Sequence, residues 1–233
     1  MKFGIIGAMD VEVELLKKEM EIEDKLIKAN MEFYSGTLLG KEVVVVRSGI
    51  GKVNAAVCSQ ILLDNFAVEA VLFTGVAGAI DRDLDMGDII ISTDVVQHDV
   101  DITAFGRDYG EIPELDQVAF KADEKLVTMA KEIGEELAQT EAIEVITGRI
   151  LSGDQFISDE KKVEWLRETF AGQCTEMEGA AVGQVAYLND TPFVIIRSIS
   201  DKADEEADMS FDEFVEFAAN NSYKMITEIL KRL

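Results

Sequence analysis

The chain reads as a single α/β domain, and three features predict that class. Short apolar runs ending in glycines or polar residues alternate along its length with segments whose apolar residues recur at helical spacing. At 233 residues and 48% hydrophobic, it is long enough to bury one sizeable core. No Pro/Ser-rich linker, charge block, low-complexity tract or internal repeat divides it, so residues 1–233 form one unit.

Residues 2–7 read as a buried strand, and Asp10 caps a helix reaching Met20 with Val11, Leu15 and Leu16 turned inward. Glu12 falls in the first turn of that helix, just past the carboxyl end of the strand, where it either faces a ligand crevice or serves the helix dipole. Residues 33–39 and 42–48 read as a hairpin turning at Gly40-Lys41. In the following SGIGKVNAA, Gly49-Ile50-Gly51 hints at a dinucleotide fingerprint, but Asn54 occupies the third glycine position and no acidic residue ends a strand about twenty residues on. The glycines then bring backbone close to a ligand or a neighbouring element.

Residues 70–74 form a strand leading into a turn, Gly75-Val76-Ala77-Gly78, and residues 88–96 form the next strand. The stretch 98–113, HDVDITAFGRDYGEIP, has neither period; a loop this long is usually functional or an interaction surface. Its His98 lacks an indicated Ser or Cys partner for base catalysis. A helix over 123–137 and a strand over 143–151 precede SGDQFI, after which Ser158 caps a helix through Phe170. Phe156, at a strand-to-helix junction, stacks on a flat ligand or fills the core. The last helix opens with the capping box Ser210-Phe211-Asp212-Glu213, and its apolar stripe runs from Phe211 to Leu230. The polar stretch 202–209 before it either closes over a site or simply connects.

Chemistry concentrates in residues 174–201, CTEMEGAAVGQVAYLNDTPFVIIRSISD. Glu178 opens a helix of small residues, a position that favours negative charge. The buried run 193–196 is followed at once by Arg197, Ser198, Ser200 and Asp201, a polar cluster beyond an apolar strand, and Asp201 is the first candidate for an acid.

The formal net charge of -24 argues against a nucleic-acid partner and against anionic membranes, since both need clustered Lys and Arg. The apolar run in MKFGIIGAMD is too short for a signal peptide or a membrane span. Cys58 and Cys174, with one histidine, offer no zinc spacing. A cytoplasmic protein without metal or cofactor is expected.

The segments GIIGAMDVE, SGIGKVNAA, TGVAGAI, DITAFG, SGDQFI, EMEGAA, RSISDKAD and SFDEF, in that order and over nearly the whole chain, resemble the bacterial 5'-methylthioadenosine/S-adenosylhomocysteine nucleosidases. The wider nucleoside phosphorylase superfamily shares these signatures more loosely. The resemblance implies a central mixed, strongly twisted β-sheet surrounded by α-helices, a homodimer, and an adenine nucleoside as substrate. It implies that Asp201, supported by Ser200, protonates N7 of adenine, that Glu12 activates water, and that Glu178 holds the ribose hydroxyls with Met177 beneath the sugar. By the same carry-over Phe156 stacks on adenine, Ile157 offers it main-chain hydrogen bonds, and Arg197 orders the site. Met9, Ile50 and Phe211 line the sugar and alkylthio pocket, Val76 and Gly78 join the binding set, and Phe105 and Pro113 reach in from the partner subunit. Val76 stands where relatives can carry a serine, and Arg107 stands where an aromatic residue is often found.

Cleaving a ribose C1'–N9 bond builds positive charge on the sugar and negative charge on the departing purine. Burial of Asp201 would raise its pKa and let it carry the proton, with Arg197 opposing that shift. Glu12 and Glu178 need the ionised state, one to take a proton from water and the other to accept hydrogen bonds from the sugar. The implied reaction is hydrolysis of methylthioadenosine and S-adenosylhomocysteine, and of 5'-deoxyadenosine, in methionine salvage and the recycling of S-adenosylmethionine by-products. A phosphorylase would want several arginines, and Glu12 would repel its phosphate. A non-catalytic nucleoside-binding protein would keep Phe156 and Glu178 and could dispense with Glu12 and Asp201.

Overall fold

The computed structural model describes residues 1–203 and 207–233, with the backbone alone at 208–210. In chain order the elements are β1 (Lys2–Gly7), α1 (Asp10–Glu19), β2 (Glu21–Lys28), β3 (Met31–Leu38), β4 (Lys41–Arg47), α2 (Lys52–Phe66), β5 (Ala70–Ala79), β6 (Ile89–Gln97), β7 (Ala119–Lys121), α3 (Glu124–Leu137), β8 (Val145–Ser152), α4 (Glu160–Phe170), β9 (Cys174–Glu176), α5 (Gly179–Leu188), β10 (Phe193–Asp201) and α6 (Ala207–Arg232). The strands join one mixed sheet. The pairings β5–β10, β10–β6, β6–β8, β8–β9 and β9–β5 close on themselves into a ring, and β1, β4, β3 and β2 continue from β5 as an open wing.

The apolar strands are buried on both faces, which is why they read as continuous hydrophobic runs. Alternate side chains supply two cores: Phe3, Ile5, Val43, Val45, Val194 and Ile196 face one way, and Ile6, Val44, Val46, Phe193 and Ile195 the other. Helices α1, α3 and α6 pack together over the first face, and α2 and α5 pack together over the second.

Several boundaries differ from expectation, each for a physical reason. β2 carries no apolar alternation because nearly all its residues are exposed, yet it pairs with β3 through the turn Ala29-Asn30, both at positive φ. The next hairpin turns at Leu39-Gly40, not Gly40-Lys41, because Leu38 pairs with Lys41 and the two residues between have positive φ. Residues 75–78 are not a turn: β5 runs through them to Ala79, and β10 likewise extends through Arg197 to Asp201. The short strands β7 and β9 have no counterpart in the sequence pattern, because 3 residues each are too few to show a period. Met9 rather than Asp10 precedes α1, and Asp159 rather than Ser158 caps α4 by accepting from the Lys162 N–H. Helix α6 is already formed at Ala207, so Ser210 lies inside it and does not cap it. Of the expected closing stretch 202–209, residues 204–206 lie outside those described, and 207–209 are helical.

Strands β1, β4, β5 and β10 run parallel to one another, so Gly7, Arg47, Ala79 and Asp201 end at one edge. Among the described residues no helix is long and apolar enough to cross a membrane.

Candidate active site

At that edge lies a cavity of about 350 Å³, lined by Met9, Glu12, Ile50, Val76, Gly78, Phe156, Ile157, Met177, Glu178, Ser200, Asp201 and Phe211 among others. The carboxyl ends of parallel strands are where an open α/β sheet leaves room for a ligand. Arg197 is buried outside the lining, while Phe105 and Pro113 sit exposed in the loop after β6, away from this cavity.

Glu12 is fixed from three sides. Its Oε2 accepts the N–H groups of Ala8 (2.6 Å) and Met9 (2.9 Å), at the opening of its own helix, and its Oε1 accepts the Val76 N–H at 3.1 Å. Glycine at position 75 makes this possible, since a Cβ there would stand 2.6 Å from Glu12 Oε1 and 2.6 Å from Arg197 Nη1. Burial pushes the Glu12 pKa above its ordinary 4.5, while Arg197 and the three N–H groups pull the other way. A carboxylate more basic than usual and rigidly aimed is suited to take a proton.

Glu176, which also lines the cavity, forms a buried ion pair with Arg197 behind it. Arg197 Nη2 donates to Glu176 Oε2 at 2.5 Å and Nε to the same oxygen at 3.2 Å, and the guanidinium lies 4.0 Å from the centroid of the Phe73 ring. Burial works against its charge, but Glu176, Glu12 and Glu178 outweigh that cost and hold the guanidinium protonated. The Ser152 hydroxyl donates to Glu176 Oε1 and accepts the Ala180 N–H at 2.7 Å, while both Glu176 oxygens accept from Gly179 N–H, at 2.9 and 2.8 Å. Glu176 thus caps α5 and anchors the start of the segment that carries Glu178. Neither Glu176 nor Ser152 was singled out from sequence; the signal was a second Glu two positions before Glu178, with a buried arginine available to pair it.

Glu178 Oε1 accepts the Gly51 N–H at 2.7 Å. Burial, joined by the Glu176 charge, raises its pKa to about 8, with Arg197 and the Gly51 N–H opposing. At neutral pH a large share of the group therefore carries a proton, and donors brought to it by a ligand favour the ionised state expected from sequence.

Asp201 ends β10, where the register with β5 slips between Ile199 and Asp201. This bulge lets the consecutive Ser200 and Asp201 both line the cavity. The Ser200 hydroxyl donates to Asp201 Oδ2 and the Ala203 N–H to Oδ1, each at 2.9 Å. Glycine at 78 again leaves the space, because a Cβ there would lie 2.6 Å from Asp201 Oδ1.

Phe156 is 51% exposed and meets Phe211 edge to face, at 6.1 Å between centroids, so its ring faces are not consumed by core packing. His98 is buried with neither ring nitrogen hydrogen-bonded among the described residues, and burial lowers its pKa to about 4, which keeps it neutral. It does not line the cavity.

Residues 2–231 match the phosphorylase superfamily. Over 234 aligned residues the chain is 46% identical to the 5'-methylthioadenosine/S-adenosylhomocysteine nucleosidase of Bacillus licheniformis, covering 100% of both chains. Its structure resembles that of the nucleosidase of the same name from Neisseria meningitidis in complex with methylthio-immucillin-A, with a TM-score of 0.94, 42% identity, and coverage of 100% of this chain and 99% of that one. The futalosine hydrolase of Helicobacter pylori is similar at a TM-score of 0.94 and 37% identity, with 100% and 98% covered.

Proposed function

The chain belongs to the 5'-methylthioadenosine/S-adenosylhomocysteine nucleosidases of the phosphorylase superfamily, hydrolases of N-glycosidic bonds, and from that premise we propose its substrates and the work of its residues. It cleaves methylthioadenosine and S-adenosylhomocysteine, and also 5'-deoxyadenosine, to adenine and the 5-substituted ribose, serving methionine salvage in the cytoplasm. The observation that carries this reading is the convergence of Glu12, Glu178 and Asp201, from three separate segments of the chain, on one cavity beside an exposed Phe156 ring.

Adenine stacks on Phe156, takes main-chain hydrogen bonds at Ile157, and meets Asp201 at N7. As the C1'–N9 bond breaks, its electron pair moves into the purine and the Asp201 proton goes to N7, so the base leaves neutral. The ribose lies over Met177 with its hydroxyls on Glu178. Those hydroxyls supply donors that favour the carboxylate, which then stabilises the positive sugar. Water attacks C1' and Glu12 takes its proton. Arg197 positions through Glu176 and through its charge on Glu12. Met9, Ile50, Val76 and Phe211 enclose the sugar and the 5' substituent.

Water rather than phosphate as nucleophile is supported by the lining: among the described residues it contains no arginine or lysine, and Arg197 is already paired with Glu176. A homodimer is supported by the exposed apolar side chains of Ile50, Val53, Val57, Phe105, Tyr187 and Leu188, through which Phe105 and Pro113 would reach the partner's site. The test is to offer methylthioadenosine, S-adenosylhomocysteine, 5'-deoxyadenosine and futalosine separately to the purified protein and follow release of the base. Turnover of futalosine alone would overturn the substrate assignment.

A further inference from the structure

Beside the cavity, three charged residues from three segments close a ring of hydrogen bonds. Asp154, in the loop after β8, accepts the backbone N–H of Lys52 at 2.8 Å on Oδ1 and so caps α2 from a distant part of the chain. Its own N–H donates to Asp99 Oδ2 at 3.0 Å, and Asp99 Oδ1 accepts Lys52 Nζ at 2.5 Å. Lys52 Nζ also reaches Gln97 Oε1 at 3.0 Å. Asp99 and Lys52 are only 19% and 16% exposed, and the lysine and the Asp154 N–H hold Asp99 ionised against the cost of burial.

Both neighbours of this ring belong to the site. Gly51, which precedes Lys52, gives its N–H to Glu178 Oε1 at 2.7 Å. Gln155, Phe156 and Ile157, which follow Asp154, line the cavity where the base is placed. Gly51 has φ of 99° and no side chain with which to cap α2, so its peptide turns at little cost unless held from outside. Asp154 supplies that hold by binding the next amide in the chain, the Lys52 N–H, at 2.8 Å.

We infer that Lys52, Asp99 and Asp154 are positioning residues for the reaction, fixing the Gly51 N–H on Glu178 and locking the Phe156 segment at the same distance from it. The inference rests on the ribose-holding role of Glu178 proposed above. Misplacing a group by about 1 Å from outside the reacting centre can cost on the order of 100-fold, so loss of the ring lowers kcat/KM without removing any group that touches substrate.

Asp154→Ala opens the ring, whereas Asp154→Asn keeps an oxygen for the Lys52 N–H. With methylthioadenosine, Asp154→Ala is expected to lose roughly 10- to 100-fold in kcat/KM, and Asp154→Asn to recover most of it. In a Glu178→Gln background the same Asp154→Ala change is expected to cost less than about threefold, because coupled residues are not additive. An equal loss in both backgrounds overturns the inference. Titration of the Glu178 carboxyl, read as the infrared difference between wild type and Glu178→Gln, gives a measurement that needs no turnover. Asp154→Ala is expected to move that titration upward, since the Gly51 N–H favours the carboxylate. Glu176, Arg197 and Glu12 also face Glu178, but their bonds lie outside the ring, so their effect is common to both proteins. A lower melting temperature with the titration unmoved would make Asp154 a helix cap and nothing more, and sink the inference. If wild type releases no adenine, the substrate reading fails, and the infrared comparison still decides the ring.

Discussion

Replacing Glu178 by Gln should stabilise the protein, and by an amount that depends on pH. Its carboxyl titrates near 8 in the fold against 4.5 when unperturbed, so the folded chain binds more protons than the unfolded chain between those values. A raised carboxylate pKa contributes stability that is present below 4.5 and is lost as pH rises through about 8. At about 1.4 kcal/mol per pH unit, the fold loses about 3 kcal/mol of stability between pH 4.5 and pH 7, where only the unfolded carboxyl is ionised, and about 4–5 kcal/mol above pH 8. Gln is uncharged and keeps an oxygen for the Gly51 N–H, so it avoids that cost while retaining the bond. Denaturant unfolding of both proteins at pH 4.5, 7 and 9 should show no gain for Gln at the first, and gains near the stated sizes at the others. A gain independent of pH, or none at pH 9, would refute the reasoning. The stabilised variant should be catalytically poor, as expected where a site holds an awkward charge for function.

Other outcomes follow from the same geometry. The free enzyme's kcat/KM should fall on the acid side with a pKa near 8, that of Glu178, and kcat should hold to lower pH because bound hydroxyls favour the carboxylate; identical profiles would contradict this. Asp201→Asn should lose roughly 10²- to 10⁴-fold in turnover, less with a 5'-methylthioribosyl nitrophenolate whose leaving group needs no proton, whereas Glu12→Gln should be slow with both. An Asp201→Asn enzyme equally slow with both substrates, beside a Glu12→Gln enzyme that recovers, would reverse the two roles. Phe105→Ala should raise KM more than it lowers kcat, and a fully active monomer in sedimentation would exclude a partner's contribution at that position.

How much was legible depended on what kind of signal each part left. β1, β4 and the first half of β10 are apolar runs and could be read at once, while β2 is almost wholly exposed, meets β3 through its ladder and polar pairs such as Lys25–Glu32, and left no apolar pattern. Gly75 and Gly78 suggested a turn because glycine usually marks one. Within β5 they serve to admit Glu12, Arg197 and Asp201, a purpose visible only when those side chains are in place. Glu12, Glu178 and Asp201 could be named from their places near element ends and from the resemblance. Their convergence, the Glu176–Arg197 pair beside them and the raised pKa of Glu178 depend on contacts between distant segments, which no local pattern encodes. The loop 98–113 shows neither period in sequence and holds only the single 3-10 turn Thr103–Phe105 in the fold, with Phe105 exposed.

The most direct measurement is a balance of products from methylthioadenosine in buffer freed of phosphate. Adenine and free reducing sugar should appear in equal amounts, at a rate that added phosphate leaves unchanged. Adenine that appears only when phosphate is present, together with a sugar 1-phosphate, would contradict the assignment of Glu12 to water.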